Sequence, residues 1–557
     1  MSEENDLIPS PFRLAYITDV EGNLNYFLKF VESCPILTVQ FQYRTITTSE
    51  FQADDDIQAL ELDFCQPTAT DDHSTDNYHF VFGGDSVDKG TGDIRLNRCL
   101  VAFKKKHPTR VFLLVGNRDL NKLRFSAELS EAELGRDLNT IPGPHWDPSA
   151  PTLAEYLQRL VADKSQVDLE SLHTRVNKLK YMLKHTLGCP KTFEFRRQEL
   201  SILQNRSADA ITDDQVVDNF IFEVQEGSLH DYFHHAQVAV IIGNTLFCHG
   251  AVDKDTMQFV PSPQSKFENP PSKPTPWKVI PNVHEWVDAL NEFYQLGLKD
   301  HAERPYWNDD FTSRGGESLM ALQNRPAMWG RSIISNCYGD GGCITTRHAA
   351  EHRKDPQRLQ EETKNNPLCF EKVCSDPLDP IVASWLSKQG IQRVVVGHKP
   401  TGDCPSVLSS VYTGVEIVSA DTSFSDTSSE DNRGAATGVV QLSGFSSTDN
   451  QLQLSGILQN GTSYSCAFAR LQSKELATAT ESQAIDGTTH NIESLKGDIF
   501  LGRQLKDGDW WIKVRTGSAE DDLYCLTRGN GRKVEYKSVP ASSIDEDMLT
   551  GMAKEFR

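Results

Sequence analysis

Five short apolar runs dominate the hydrophobic pattern, and each stops at a polar residue. They are RLAYI before Asp19, HFVF before Asp85, RVFLLV before Asn117, TLFC before His249 and RVVV before His398. Continuous apolar character over four to six residues, rich in Val, Ile, Leu and Phe, predicts strands covered on both faces. Long segments separate these strands. Residues 40–78 are acidic and polar and predict a loop or small excursion. Residues 126–235 predict helices, with Leu, Val and Met at three- and four-residue spacing and a stop at Gly188 before Pro190. Residues 255–390 open with a proline-rich stretch and continue as helix and loop. After His398 the texture changes to alternating strands with glycine turns, as in GVVQLSG, LQLSGILQNG and SYSCAFARL. The chain therefore divides into a tail (1–12), one large domain (13–475) with insertions at about 40–78, 126–235 and 255–390, a polar linker (476–492) and a small β-rich accessory module (493–557). That module is a candidate surface for a protein partner.

Composition narrows the functional classes. The 557 residues carry 56 basic and 78 acidic side chains, a formal net charge of −22. That argues against a broad nucleic-acid or anionic-membrane footprint, which needs a basic face. It leaves open a small phosphorylated substrate, because a bound metal reverses the local field. Hydrophobic content of 38% and mean hydropathy of −0.46 predict a soluble globular protein. No apolar run approaches the roughly 18 residues that span a bilayer, and MSEENDLIPSPF lacks the apolar core of a secretory signal. The twelve cysteines form no CxxC pair, and reduced thiols in a cytoplasmic protein are the expectation.

The strand ends carry the candidate chemistry. In order they supply Asp19 and Glu21 (TDVEGN), Asp85 and Asp88 (GGDSVDKG), Asn117 (GNRD), His249 (CHG) and His398 (GHKP). Each alone is bland: a histidine after a buried strand is usually a hydrogen-bonded core residue, and Gly-Asp is usually a turn. Five such ends in one chain, offering carboxylates, an amide and two imidazoles, suit two divalent cations. A metal pair about 3.5–4 Å apart clamps a phosphoryl group and generates a hydroxide. Asp85 is the natural bridge.

The order D-x-E, GDxxD, GNxD, HG, GH resembles the calcineurin-like metallophosphoesterase superfamily. GDSVDKG and CHGAV look most like its serine/threonine protein phosphatase branch. The resemblance spans Asp19 to about Asp421. It implies an α/β (α+β) fold, a two-sheet β sandwich flanked by helices with metals at the strand ends. It assigns Asp19, Glu21 and Asp85 to a first metal, and Asp85, Asn117, His249 and His398 to a second. Asp119 would back a metal-bound histidine or cap a helix. Arg331 stands where that branch binds phosphate, although a surface arginine is an equal reading.

Three positions depart from the family. Glu21 replaces a histidine, which shifts preference from zinc or iron toward manganese or magnesium. Lys89 replaces an arginine and offers a point charge instead of a fork. Arg118 replaces the catalytic histidine. With a pKa above about 12 it is no general acid, but it can bind phosphate oxygens and stabilise developing charge, held by Asp88. The expected activity is hydrolysis of a phosphomonoester, on a protein or a small molecule, by a hydroxide that two metals activate. Two alternatives stand beside it. One is a nucleotide or dinucleotide polyphosphate hydrolase, whose good leaving groups need less acid. The other is a phosphatase-like protein that binds a phosphorylated ligand with little turnover.

Overall fold

Each of the five apolar runs forms a strand: Arg13–Ile17, Tyr78–Phe82, Val111–Leu114, Thr245–Cys248 and Arg393–Val396. A computed structural model describes residues 12–43, 56–66, 77–143, 150–161, 168–250, 252, 257–261, 277–322, 380–398, 400–409, 415–426, 428–429, 432–444, 451–468, 498, 500–508, 510–517, 522–530 and 533–549. The fold is mixed α/β. One seven-stranded sheet has Arg13–Ile17, Tyr78–Phe82 and Val111–Leu114 as parallel neighbours, extended by an antiparallel meander of Thr437–Ser443, Gln451–Ile457 and Ser463–Phe468. A five-stranded sheet has Arg393–Val396 at its centre, parallel to Thr245–Cys248 on one side and to Glu416–Ser419 on the other.

Alternate side chains of these strands enter two different cores. Leu14, Tyr16, Val81, Leu114, Phe247, Val395 and Val418 share the core between the sheets. Ala15, Ile17, Phe80, Phe82, Leu113, Val394 and Val396 face the helical layers. Strand side chains alternate between faces, so burial on both sides turns the run wholly apolar. Each large side chain buried this way contributes about 1.5–3 kcal/mol.

Two regions differ from their sequence reading or add to it. Within 40–78 the chain forms a ladder instead of a loop. Leu37–Tyr43 pairs antiparallel with Ile57–Phe64, and Leu62 and Phe64 are buried. The acidic residues that hid this alternation face the basic end of helix Asp93–Lys106. Lys106 lies 3.2 Å from Glu61 and 2.9 Å from Asp63, and His107 lies 2.7 Å from Asp63. Near the C-terminus, Trp511–Thr516, Leu523–Asn530 and Lys533–Pro540 form a three-stranded antiparallel sheet. Its Ile512, Val514, Tyr524 and Leu526 belong to the same inter-sheet core as Tyr16 and Val395. Buried Lys513 donates to the carbonyls of Thr401 and Cys404, in the loop that follows His398. Trp511 is buried with the other core cluster, while Trp510 has Arg528 and Lys537 4.7 and 4.3 Å from its ring.

The insertion at 126–235 is helical, with Leu153–Leu160, Arg175–Tyr181, Thr192–Leu203, Asp213–Gln225 and Ser228–His235. It reaches the strand ends. Arg196 pairs with Asp93 at 2.9 Å, Asp93 accepts from the Asp88 amide at 3.1 Å, and Thr192 donates to the Asp88 carbonyl. Among the described residues, no helix is long and apolar enough to cross a membrane.

Candidate metal centre

All five strand ends meet at one place. The Asp19 amide donates to Gly84 and the Glu21 amide to Asp85, each at 2.9 Å. The Gly397 amide donates to His249 at 2.9 Å within the other sheet. Asp19 Oδ2 accepts from the His398 amide at 2.9 Å and so ties one sheet to the other. The corners are tight: Asp19, Glu21, Asp85, Asp88 and His398 all hold left-handed backbone, with φ of 53°, 53°, 55°, 119° and 68°. Such backbone is disfavoured for residues with a Cβ, and it clusters at functional sites. Two glycines make the approach possible, because a Cβ at Gly116 would strike the Asp85 carboxylate and one at Gly397 would strike that of Asp19.

One half of this centre gathers ligands. One ligand atom each of Asp85, His249 and His398 lies within 4.8 Å of the others. His249 Nε2 lies 3.2 Å from Asn117 Oδ1 and 3.4 Å from Asp85 Oδ1. His249 Nδ1 lies 2.8 Å from the Gly83 carbonyl. In the neutral tautomer Nδ1 carries the proton for that bond, which turns the Nε2 lone pair toward two acceptor oxygens. Three acceptors facing one point need a proton or a metal ion between them. Without a metal ion a proton takes that place: burial disfavours the His249 charge, yet the Asp85 and Asp19 carboxylates overturn this and push it up to about 10. A divalent ion held by Asp85, Asn117, His249 and His398 fits this donor set.

The other half is arranged differently. Glu21 is buried, and both of its oxygens already face cations. Lys89 lies 2.8 Å away, Arg118 Nε 2.5 Å from Oε1, and Arg433 Nη2 3.5 Å from Oε2. Burial alone would raise the Glu21 carboxyl; Lys89, Arg118 and Arg433 instead hold it below its usual value. Asp19 moves the other way, raised by burial and by the neighbouring Asp421 carboxylate. Asp85 divides between the halves, with Oδ1 toward His249 and Oδ2 3.7 Å from Arg118 Nε. Two unit charges 4 Å apart interact by about 4 kcal/mol at an effective dielectric near 20. A metal ion beside Glu21 would meet repulsion of that order from each fixed cation. The residues present therefore fit an ion in the His249 half and do not fit one in the Glu21 half.

Arg118 is held from three sides. Besides Glu21 and Asp85, its Nη1 donates to Asp88 Oδ2 at 3.2 Å, and its amide donates to Asp85 Oδ1 at 2.8 Å. Burial works against its charge, but Glu21, Asp88 and Asp85 hold it protonated. Lys122, which the motifs did not indicate, shares Asp88 at 2.8 Å and donates to the Arg118 carbonyl at 2.9 Å. Its position four residues beyond Arg118, on the same helical face, was the available signal. Arg433 had no such signal. It is buried, stacks 4.3 Å from the Tyr26 ring and reaches Glu21 from 412 positions away.

Asp119 caps its helix, accepting from the Gly116 amide, and does not back a histidine. Its carboxylate accepts from the amides of Asp85, Ser86 and Gly116 at 2.8–3.0 Å and from the Ser86 hydroxyl, which shapes the turn that presents Asp85. Asp421 accepts from the Ser423 amide at 2.7 Å, and Asp403 accepts from the Gln459 amide at 3.2 Å. Arg331 lies outside the described residues.

No family model and no curated protein matches this chain. Among solved structures, the cold-active protein-tyrosine phosphatase of a psychrophile Shewanella sp. aligns over 82% of this chain and 80% of its own, at 12% identity and a TM-score of 0.33. A protein serine/threonine phosphatase from Saccharomyces cerevisiae aligns over 78% of this chain and 74% of its own, at 11% identity and a TM-score of 0.28. Likeness at that level leaves the functional argument to the geometry of the site itself.

Proposed function

We propose that this protein is a metal-dependent phosphoesterase that hydrolyses a phosphomonoester, with a divalent ion such as manganese. The observation that carries the reading is the convergence of His249 Nε2, Asn117 Oδ1 and Asp85 Oδ1 within 3.2–3.4 Å, with His398 beside them. Asp85, Asn117, His249 and His398 would hold the ion, which supplies charge neutralisation at phosphate and a water of lowered pKa. The chain's own residues do the rest. Gly83 orients the His249 ring through Nδ1. Asp88 and Glu21 aim the Arg118 guanidinium, which binds phosphate oxygens and stabilises charge that builds on them. Lys89 adds positive charge to the same wall.

Release of inorganic phosphate from an aryl phosphate tests this, with manganese, magnesium or cobalt added and then chelated. Metal-dependent release is expected, because an aryl leaving group needs little protonation. No release at any pH with any of the three ions would overturn the reading in favour of a phospho-ligand binding protein. One observation also favours the anhydride-cleaving alternative. Arg118, which shares Asp88 with Lys122, is held protonated by carboxylates, so the leaving oxygen receives no proton from it. A nucleotide or dinucleotide polyphosphate would then be cleaved faster than an alkyl phosphate.

A further inference from the structure

We infer that this protein works with one metal ion, and that the Arg118 guanidinium together with the Lys89 ammonium stands in place of the second. The inference rests on the metal-dependent reading above and departs from the two-ion site that the motif order implies. It stands on geometry. A first-position ion would draw on Asp19, Glu21 and Asp85. Glu21 has given both oxygens to cations, with Lys89 at 2.8 Å and Arg118 at 2.5 Å. Asp85, the expected bridge, turns Oδ1 toward His249 and Oδ2 toward Arg118 Nε at 3.7 Å. It bridges a ligand cluster and a guanidinium. Asp19 alone remains, and its Oδ2 already accepts from the His398 amide at 2.9 Å and the Thr18 hydroxyl at 2.7 Å.

The replacement is anchored on every side, so it is no loose side chain that an ion would push away. Asp88 takes Arg118 Nη1 at 3.2 Å, Lys122 braces Asp88 at 2.8 Å, and Lys89 packs 4.2 Å above the Phe424 ring. Arg433 closes the remaining approach to Glu21 at 3.5 Å. The Lys89 amide donates to the Glu21 carbonyl at 2.6 Å, which fixes the backbones that present the pair. Two fixed positive groups supply the neutralisation that a second ion provides elsewhere, and they also repel one.

The test is a count of ions in the full chain. The protein is loaded with excess manganese, desalted, assayed by elemental analysis and examined by electron paramagnetic resonance. One manganese per chain with an uncoupled six-line spectrum is expected. Two per chain with an exchange-coupled spectrum would overturn this inference and leave the metal-dependent reading standing. None would overturn both. Removing the two cations together, by Lys89→Met with Arg118→Ala, leaves Glu21 facing Arg433 alone at 3.5 Å, and the count is expected to rise to two. A folded double variant that still holds one ion would overturn the assignment of the exclusion to these side chains.

Discussion

The two halves of the centre grow from the same kind of strand end, yet they solve the charge problem in opposite ways. On the His249 side, acceptor faces acceptor, with Asn117 Oδ1 and Asp85 Oδ1 at 3.2 and 3.4 Å from Nε2. On the Glu21 side, carboxylate faces cation, with Lys89 and Arg118 within 2.8 Å. The first arrangement is incomplete without something added from solution. The second is complete as translated. Buried charge must be matched either way; what differs is whether the match is exchangeable. An exchangeable partner can lend its bound water to chemistry, whereas a covalently attached one can only orient and neutralise.

Asp85→Asn tests the half that needs an ion, and it should have the largest effect. The amide keeps the shape and loses the charge, so the ion should be lost and kcat/KM on an aryl phosphate should fall on the order of 10³-fold. Near-native turnover with full metal content would erase the distinction between the halves. Arg118→Ala tests the half that is complete in itself. Here kcat/KM should fall by about 10²-fold, while the ion in the His249 half is retained. Arg118→Lys should recover only part of this, because it keeps charge and loses the fork. Asp88→Asn should be a milder version, since Arg118 keeps Glu21.

Two smaller effects concern the supports beneath each half. Lys513→Met removes the donor to the Thr401 and Cys404 carbonyls, below the His398 loop. Stability should fall by about 2 kcal/mol, the cost of leaving the buried Thr401 carbonyl unpaired while that of Cys404 keeps the Thr401 hydroxyl, and metal should bind more weakly; a thermal melt and a metal titration read both. On the other side, His301 lies 3.1 Å from the carbonyl of Leu123, beside Lys122. Burial pushes the His301 imidazole down to about 4, from an ordinary 6.5. The folded value lies below the unfolded one, so the unfolded chain binds more protons between them. The neutral ring's contribution is complete above pH 6.5 and is lost as pH falls toward 4. By pH 5 that amounts to about 2 kcal/mol. His301→Gln keeps a donor without the titration, and should flatten the pH dependence of unfolding over that range. An unchanged slope would mean that the ring titrates the same way in both states.

The sequence made the strand ends legible because burial on both faces leaves an unmistakable apolar run that stops at a polar residue. The Asp88–Arg118 pair was legible too, from the resemblance, in which an aspartate at that position orients the residue that Arg118 replaces. The cage around Glu21 was not. Its members lie 68 and 412 positions from Glu21 in the cases of Lys89 and Arg433, and only tertiary packing brings them together. The ladder of Leu37–Tyr43 with Ile57–Phe64 was hidden for a related reason. Glu61 and Asp63 look like loop residues until the basic end of helix Asp93–Lys106 is placed opposite them. Likewise, composition sets the C-terminal strands apart, but it does not encode that Ile512 and Leu526 share a core with Tyr16.

The left-handed corners at Asp19, Glu21, Asp85, Asp88 and His398 bear on how such a protein changes over generations. Each corner costs about 1 kcal/mol that glycine would not. Glycine at any of them would relax the backbone while deleting a candidate ligand, a partner of Arg118 or the Asp19 carboxylate that holds the His398 amide. Mutational drift therefore runs downhill toward a sturdier and chemically emptier molecule. A lineage that lost the proposed reaction would be expected to slide that way, one corner at a time.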